Sequence, residues 1–180
     1  MHHLLRLGVV AGMLSWSSMA QAQSTVLLPD TSQTTTVSVS VSEQARVTVP
    51  STVAFLVTNV GVPTAASGVA VTLDQIVLSS GSKQLRLSLR ANTSSFTPPL
   101  SGEVTWSAAD LSWNAAAWTS AAGSAGTLSS TTDNTIATCD AGATACSTTA
   151  LVFTLAGKPT VQRSGVHTLV VTWKVESIGS

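Results

Sequence analysis

The chain has 180 residues, a formal net charge of zero at pH 7 and only 9% charged residues. A neutral, sparsely charged chain offers no basic face, so nucleic acid and anionic membrane surfaces are excluded as expected partners. Ser and Thr supply much of the polar surface. Because the side chains of both residues compete for the backbone hydrogen bonds of a helix interior, this composition favours strands and turns.

The N-terminus has the features of a cleavable secretory signal peptide. A charged start that includes Arg6 precedes an apolar run over 7–14, and Ala20-Gln21-Ala22 matches the A-x-A cleavage pattern. An uncleaved anchor conflicts with the length of the apolar run, because a membrane-spanning helix needs roughly 20 residues. We therefore expect residues 1–22 to be removed and residues 23–180 to fold as one domain without a membrane-spanning segment. The expected location is secreted, periplasmic or at the cell surface.

Apolar and hydroxyl residues alternate along most of the remaining chain, and this period of two predicts half-buried β-strands. The segments that carry the pattern are 34–49, 52–59, 69–78, 85–90, 103–107, 111–118, 148–156 and 168–176. Gly and Pro separate them, and no helical pattern intervenes. The sequence therefore predicts an all-β fold, an antiparallel two-sheet β-sandwich of the immunoglobulin-like or fimbrial-subunit-like kind.

Three local features are predicted within this pattern. The apolar phase slips near Asp74-Gln75, which indicates a β-bulge. The turn at 79–82 predicts that the alternating runs on either side of it pair as a hairpin. The stretch 119–132 consists almost entirely of Ala, Gly, Ser and Thr, with only Leu128 to bury, and this composition predicts a mobile loop.

Cys139 and Cys146 are the only cysteines in the sequence. In an exported chain this pair predicts a disulfide that closes a short loop. A metal site would need two more ligands nearby, and a redox site would favour the C-x-x-C spacing. We therefore expect a structural disulfide, with no metal and no cofactor.

Three tryptophans, Trp106, Trp113 and Trp118, lie close together in the sequence. Exposed indole rings can stack on sugars, whereas buried rings supply core area. Trp106 shares its phase with Val104 and is expected in the core. Trp118, at the start of the predicted loop, is the first candidate for a ligand-binding aromatic residue, and Trp113 is the second; the alternative for both is packing.

No residue set in the sequence matches a catalytic site, and we expect no enzymatic activity. His167 is the only histidine outside the first 22 residues, and the S-x-x-K match that begins at Ser80 lacks its partner motifs. The remaining possibility is a glycoside hydrolase that uses Glu103 and Asp110, whose separation the sequence does not define. Chance proximity of the two carboxylates is the simpler interpretation.

Two functions without catalysis remain. Val37, Val39 and Val41 alternate with serines in a strand that could complete the sheet of a neighbouring molecule. This arrangement resembles the donor strands of secreted fimbrial subunits and implies a self-assembling structural or adhesive subunit, with copies of itself or other envelope proteins as partners. The apolar segment 168–176 argues for a chain that completes its own sheet. The alternative is a carbohydrate-binding or adhesin module that binds glycans through Trp118 or Trp113.

Overall fold

The computed structural model describes residues 34–179, so the predicted signal peptide lies outside the described residues. The chain divides into two units, Met1–Val39 and Ser40–Ser180. Residues 34–39 of the first unit are exposed and carry no secondary structure. The second unit contains one 3-10 turn, Ala108–Asp110. Its strands are β1 Gln44–Thr48, β2 Thr64–Ala65, β3 Val69–Val77, β4 Gln84–Ala91, β5 Leu111–Trp113, β6 Ala121–Gly123, β7 Gly126–Thr127, β8 Asn134–Cys139, β9 Cys146–Leu151, β10 Phe153–Leu155 and β11 Val171–Ile178.

These strands form three antiparallel sheets, with the orders β1-β3-β9, β2-β10-β5-β7 and β11-β4-β8-β6. The chain passes directly from the first sheet into the second, because only Val152 separates β9 from β10. Leu73 of β3, Leu87 of β4 and Leu151 of β9 are at most 1% exposed and belong to one core. The all-β prediction is confirmed, and the arrangement fits a sandwich.

The predicted hairpin across the turn at 79–82 is wrong. β3 pairs with β1 and β9, whereas β4 pairs with β11 and β8. The turn therefore carries the chain from one sheet to another. Leu73 and Leu87 both point into the core, and alternation of this kind specifies which face of a strand is buried but not which strand supplies its hydrogen bonds.

The β-bulge predicted near Asp74-Gln75 is present. The β1–β3 register changes between Gln44, which faces Val77, and Arg46, which faces Asp74. Gln75 has a φ of 52°, the left-handed conformation that reverses the phase of the side chains. Ile76 is buried as a result, although it is three positions from the buried Leu73.

Several predicted strands are shorter in the structure than in the sequence pattern. β1 occupies only the end of the predicted 34–49 strand, and 52–59 forms no strand at all. The predicted 103–107 forms no strand, only an isolated bridge at Ser107, and the predicted 111–118 is shortened to β5. The 3-10 turn lies between them, and in it Asp110 accepts a hydrogen bond from the backbone N–H of Ser107 at 2.7 Å. The predicted strands near the C-terminus are confirmed as β9, β10 and β11.

The segment 119–132, predicted to be a loop, contains the short strands β6 and β7 and the buried Leu128. Its small residues are sites of close packing. A Cβ atom placed on Gly126 would lie 2.5 Å from the Trp113 ring, and one on Gly123 would lie 2.4 Å from the carbonyl oxygen of Ala116. The low-complexity composition therefore reflects the space that the indoles and backbone require.

Replacing Gly123 with alanine is expected to lower the free energy of unfolding by about 1–3 kcal/mol, because the new methyl group would overlap backbone that cannot rotate away. Urea denaturation of the purified protein would measure the loss. Gly81→Ala is the matched control, since nothing lies within 4 Å of its Cβ position. Equal stability of the two variants would contradict this account of the segment.

Candidate assembly surface

β11 forms one edge of its sheet and pairs only with β4 among the described residues. The backbone N–H of Asn92 donates to the carbonyl of Val170 at 2.9 Å, and the register of the two strands places these residues opposite each other. Hydrogen-bonded and non-hydrogen-bonded pairs alternate along an antiparallel ladder. The N–H and C=O groups of Val171, Trp173 and Val175 therefore point away from β4, toward the free edge.

A second segment with unpaired backbone groups follows β1. β1 pairs only with β3, and residues 49–58, which follow it, make no hydrogen bond to any other residue of the described chain. Their side chains nevertheless alternate, with Val53, Phe55 and Val57 half-buried against the core and Leu56 85% exposed. This segment has the side-chain pattern of a strand without a strand beside it.

β1 and β11 both line a shallow depression of about 250 Å3. Ala45 and Val47 contribute from β1, and Val175 and Ser177 contribute from β11. The buried Leu85 of β4 also lines the depression. The two unpaired edges therefore face a common opening at this end of the sandwich.

The apolar side chains along these two edges are only half-buried. We call Val47, Val49, Val53, Phe55 and Val57 the N-terminal row, and Leu169, Val171, Trp173 and Val175 the C-terminal row. All of them pack against the core, but none is enclosed. The inward residues of β4 contrast with them, since Leu87 and Leu89 are 1% exposed. The two rows meet at the depression, which Val47 and Val175 both line.

The three valines predicted to exchange are exposed. Val37 and Val39 are 84% exposed and Val41 is 69% exposed. The predicted strand is absent at this position, since residues 34–43 carry no secondary structure. A strand forms only where a neighbouring strand can accept and donate the hydrogen bonds of its backbone groups, whatever the alternation of its side chains.

The two tryptophans predicted to bind a ligand differ in their exposure. Trp113 is 3% exposed, packs edge-on against Phe153 and donates its indole N–H to the carbonyl of Ser124 at 3.0 Å. Trp118 is half-buried, and its indole nitrogen is buried without an acceptor among the described residues. Sugar stacking needs an open ring face, which the enclosed Trp113 does not offer. Trp106, predicted in the core, is 4% exposed.

The two carboxylates considered for catalysis each have a cationic partner. Glu103 binds Arg163 at 3.0 Å, and Asp110 binds Lys158 at 2.8 Å. Burial acts to raise the pKa of Asp110, but hydrogen bonds from Lys158 and Ser107 outweigh it, so the pKa is lowered overall. A lowered pKa favours a permanently ionised structural group over a proton donor.

His167 is likewise held by local contacts, and in the turn at 79–82 the hydroxyl oxygens of Ser80 and Ser82 lie 2.8 Å apart. His167 Nδ1 lies 2.8 Å from the Thr105 hydroxyl oxygen, and the imidazole packs edge-on against Trp106. Within 34–179, no three His, Cys, Asp or Glu side chains gather as a metal site. No helix in the same range is long and apolar enough to cross a membrane.

The predicted disulfide is present and joins Cys139 to Cys146, whose Cα atoms are 5.9 Å apart. Cys139 ends β8 and Cys146 begins β9, so the bridge links two different sheets. The loop it closes is also held by a hydrogen bond from the N–H of Ile76 to the carbonyl of Thr144 at 3.2 Å. The disulfide therefore ties two sheets together, which is more than the predicted closure of a loop.

Glu43, at the mouth of the depression, has an unusually acidic carboxyl group. A hydrogen bond from Lys83 at 2.8 Å and further hydrogen bonds from Ser79 lower the pKa of Glu43 to about 2. These contacts connect the start of β1 to the turn between β3 and β4. They hold the chain in place where it enters the sandwich.

Because the pKa of Glu43 is lower in the folded state, its contribution to stability is present above pH 4.5 and is lost as the pH falls toward about 2. Glu43→Gln should therefore be less stable than the unmodified protein near neutral pH, and this difference should shrink between pH 4.5 and about 2. Urea denaturation midpoints across this range would measure it. Lys83→Met should produce the same convergence, and a difference independent of pH would contradict the assignment.

The sequence pattern did not identify the C-terminal row as part of a candidate surface. Its residues were expected to complete the chain's own sheet, since a period of two is identical for a central and an edge strand. The exposed valines of 37–41 are identified because they form an uninterrupted alternation with serine. Comparisons of this chain with protein-family models, with curated proteins and with solved structures gave no match.

Proposed function

We propose that this protein is a secreted or cell-surface structural subunit that assembles with copies of itself by accepting a β-strand between β1 and β11. Its fold is then a β-sandwich of the fimbrial-subunit-like kind, with one strand to be supplied by a partner. The observation that carries the proposal is the pair of half-buried apolar rows along two unpaired edges.

The physical case rests on backbone and side chains together. An edge strand presents unpaired N–H and C=O groups that an added strand can satisfy, and alternating pockets select its side chains. Both features occur here, because Val171, Trp173 and Val175 combine free backbone groups with half-buried side chains. The apolar last strand therefore does not argue against assembly, since it is the edge that would accept the partner.

Export and a structural role are supported by other features. A buried disulfide between sheets persists best in an oxidising compartment. The carboxylates considered for hydrolysis form ion pairs, and Trp113 is enclosed, so no observation favours the hydrolase or the glycan-binding alternative. We therefore propose a role in structure or adhesion without catalysis.

The full chain, produced with export in a secreting host, should form filaments or large oligomers in size-exclusion chromatography and negative-stain electron microscopy. Val175→Pro should abolish them, because proline removes an N–H that faces the free edge but leaves the β4 ladder intact. Val175→Ala keeps that N–H and should still assemble. A monomeric full chain, or assembly by the proline variant, would refute the proposal.

A further inference from the structure

We propose that the strand accepted between β1 and β11 is the segment 37–41 of a second copy, antiparallel to β11, with Val39 opposite Trp173. This inference rests on the proposed function and adds the identity, direction and register of the occupant. The outer serines of the segment, Ser38 and Ser40, would then lie opposite Lys174 and Thr172 on the solvent face.

The pattern of the segment matches the pattern of the edge. Val37, Val39 and Val41 are spaced by two residues and are at least 69% exposed. The half-buried residues of β11 that have free backbone groups, Val171, Trp173 and Val175, have the same spacing and number. Residues 34–42 carry no charge, as insertion beside an apolar core requires.

The direction follows from the sheet. β11, β4, β8 and β6 are antiparallel to one another, so an antiparallel strand continues the existing ladder pattern. Directly opposite residues in such a pair share a face of the sheet. Val39 opposite Trp173 therefore places all three valines on the core side.

Chain geometry requires this strand to come from another molecule. In the proposed register Val41 lies opposite Val171, whereas Glu43 of the same chain lies at the depression with Glu176. Two residues of extended chain span at most about 7 Å. The five residues from Val171 to Glu176 span roughly 17 Å along the strand. A chain cannot cover this distance with Ser42 alone, so it cannot occupy its own edge in this register.

A two-by-two set of cysteine pairs in the full chain tests direction and register together. Pairs Ser40→Cys with Thr172→Cys and Ser38→Cys with Lys174→Cys would be non-hydrogen-bonded neighbours, with Cα atoms about 4.5 Å apart, close enough for a disulfide. The reciprocal pairs Ser38→Cys with Thr172→Cys and Ser40→Cys with Lys174→Cys would be too distant. The same four positions thus supply both test and control.

We expect the matched pairs to form covalent ladders on non-reducing gels, with a yield at least about tenfold above that of the reciprocal pairs. Equal or greater yield from the reciprocal pairs would overturn the register or direction. Cross-linked monomers without ladders would show that the segment occupies its own chain. Absence of any cross-link in protein that still forms oligomers would show that another strand is the occupant.

A further pair of full-chain variants separates this inference from the proposed function. Val39→Asp should abolish assembly because it would bury a carboxylate beside Trp173, whereas Ser40→Asp on the outer face should assemble normally. Assembly by Val39→Asp together with loss of assembly by Val175→Pro would reject segment 37–41 and keep the accepting edge. Failure of the unmodified chain to assemble would reject both.

Discussion

Replacing Trp113 with alanine is expected to lower the free energy of unfolding by about 3–5 kcal/mol, the usual loss for a large buried aromatic residue. The Trp113 side chain is enclosed by Phe153 and by the surface around Gly126, and its N–H donates to Ser124. Alanine would leave a cavity and an unpaired carbonyl. Urea denaturation followed by circular dichroism would measure the loss.

Trp118→Ala is the matched comparison for this prediction. Trp118 is half-buried and its indole nitrogen has no acceptor among the described residues, so alanine removes less packing and no hydrogen bond. We expect a clearly smaller loss than for Trp113→Ala. A larger loss at Trp118 would mean that the environments of the two rings have been assigned the wrong way round.

Removing the disulfide by Cys139→Ala with Cys146→Ala is expected to cost about 2–3 kcal/mol from the entropy of the short loop in the unfolded chain. The loss should exceed this entropic value, because the buried sulfur atoms also pack in the core between two sheets. Thermal denaturation with and without a reductant would measure the effect. An unchanged midpoint in both conditions would contradict a stabilising bridge.

Within strands that pack into the core, alternation along the chain predicts which face is buried, because successive side chains of a strand point to opposite faces. Leu85, Leu87 and Leu89 are buried as predicted, and Val71 and Leu73 share one face. Strand pairing was harder to predict, since β3 and β4 are neighbours in sequence but belong to different sheets. A strand's neighbour depends on how distant segments pack, which a local pattern does not contain.

β8 was not predicted from the sequence, and its pairing with β4 shows why. Its register with β4 changes between Leu87, opposite Ala137, and Ser88, opposite Thr135. Ile136 is therefore an extra residue in the strand, and the period of two is broken at its most apolar position. Of the candidate surface, the sequence predicted the alternating valines of 37–41 but not the β11 edge. The exposure of these valines and the unpaired edge of β11 both depend on tertiary structure, which a local pattern does not contain.

The pairing of β4 with β11 also determines the order in which the molecule can fold. β4 lies inside its sheet, yet one of its neighbours is β8 and the other is β11, the last strand within residues 34–179. Such distant pairings form slowly and leave strand edges exposed meanwhile. The sheet cannot be complete until β11 has been synthesised, and until then the edge of β4 that receives β11 stays unpaired.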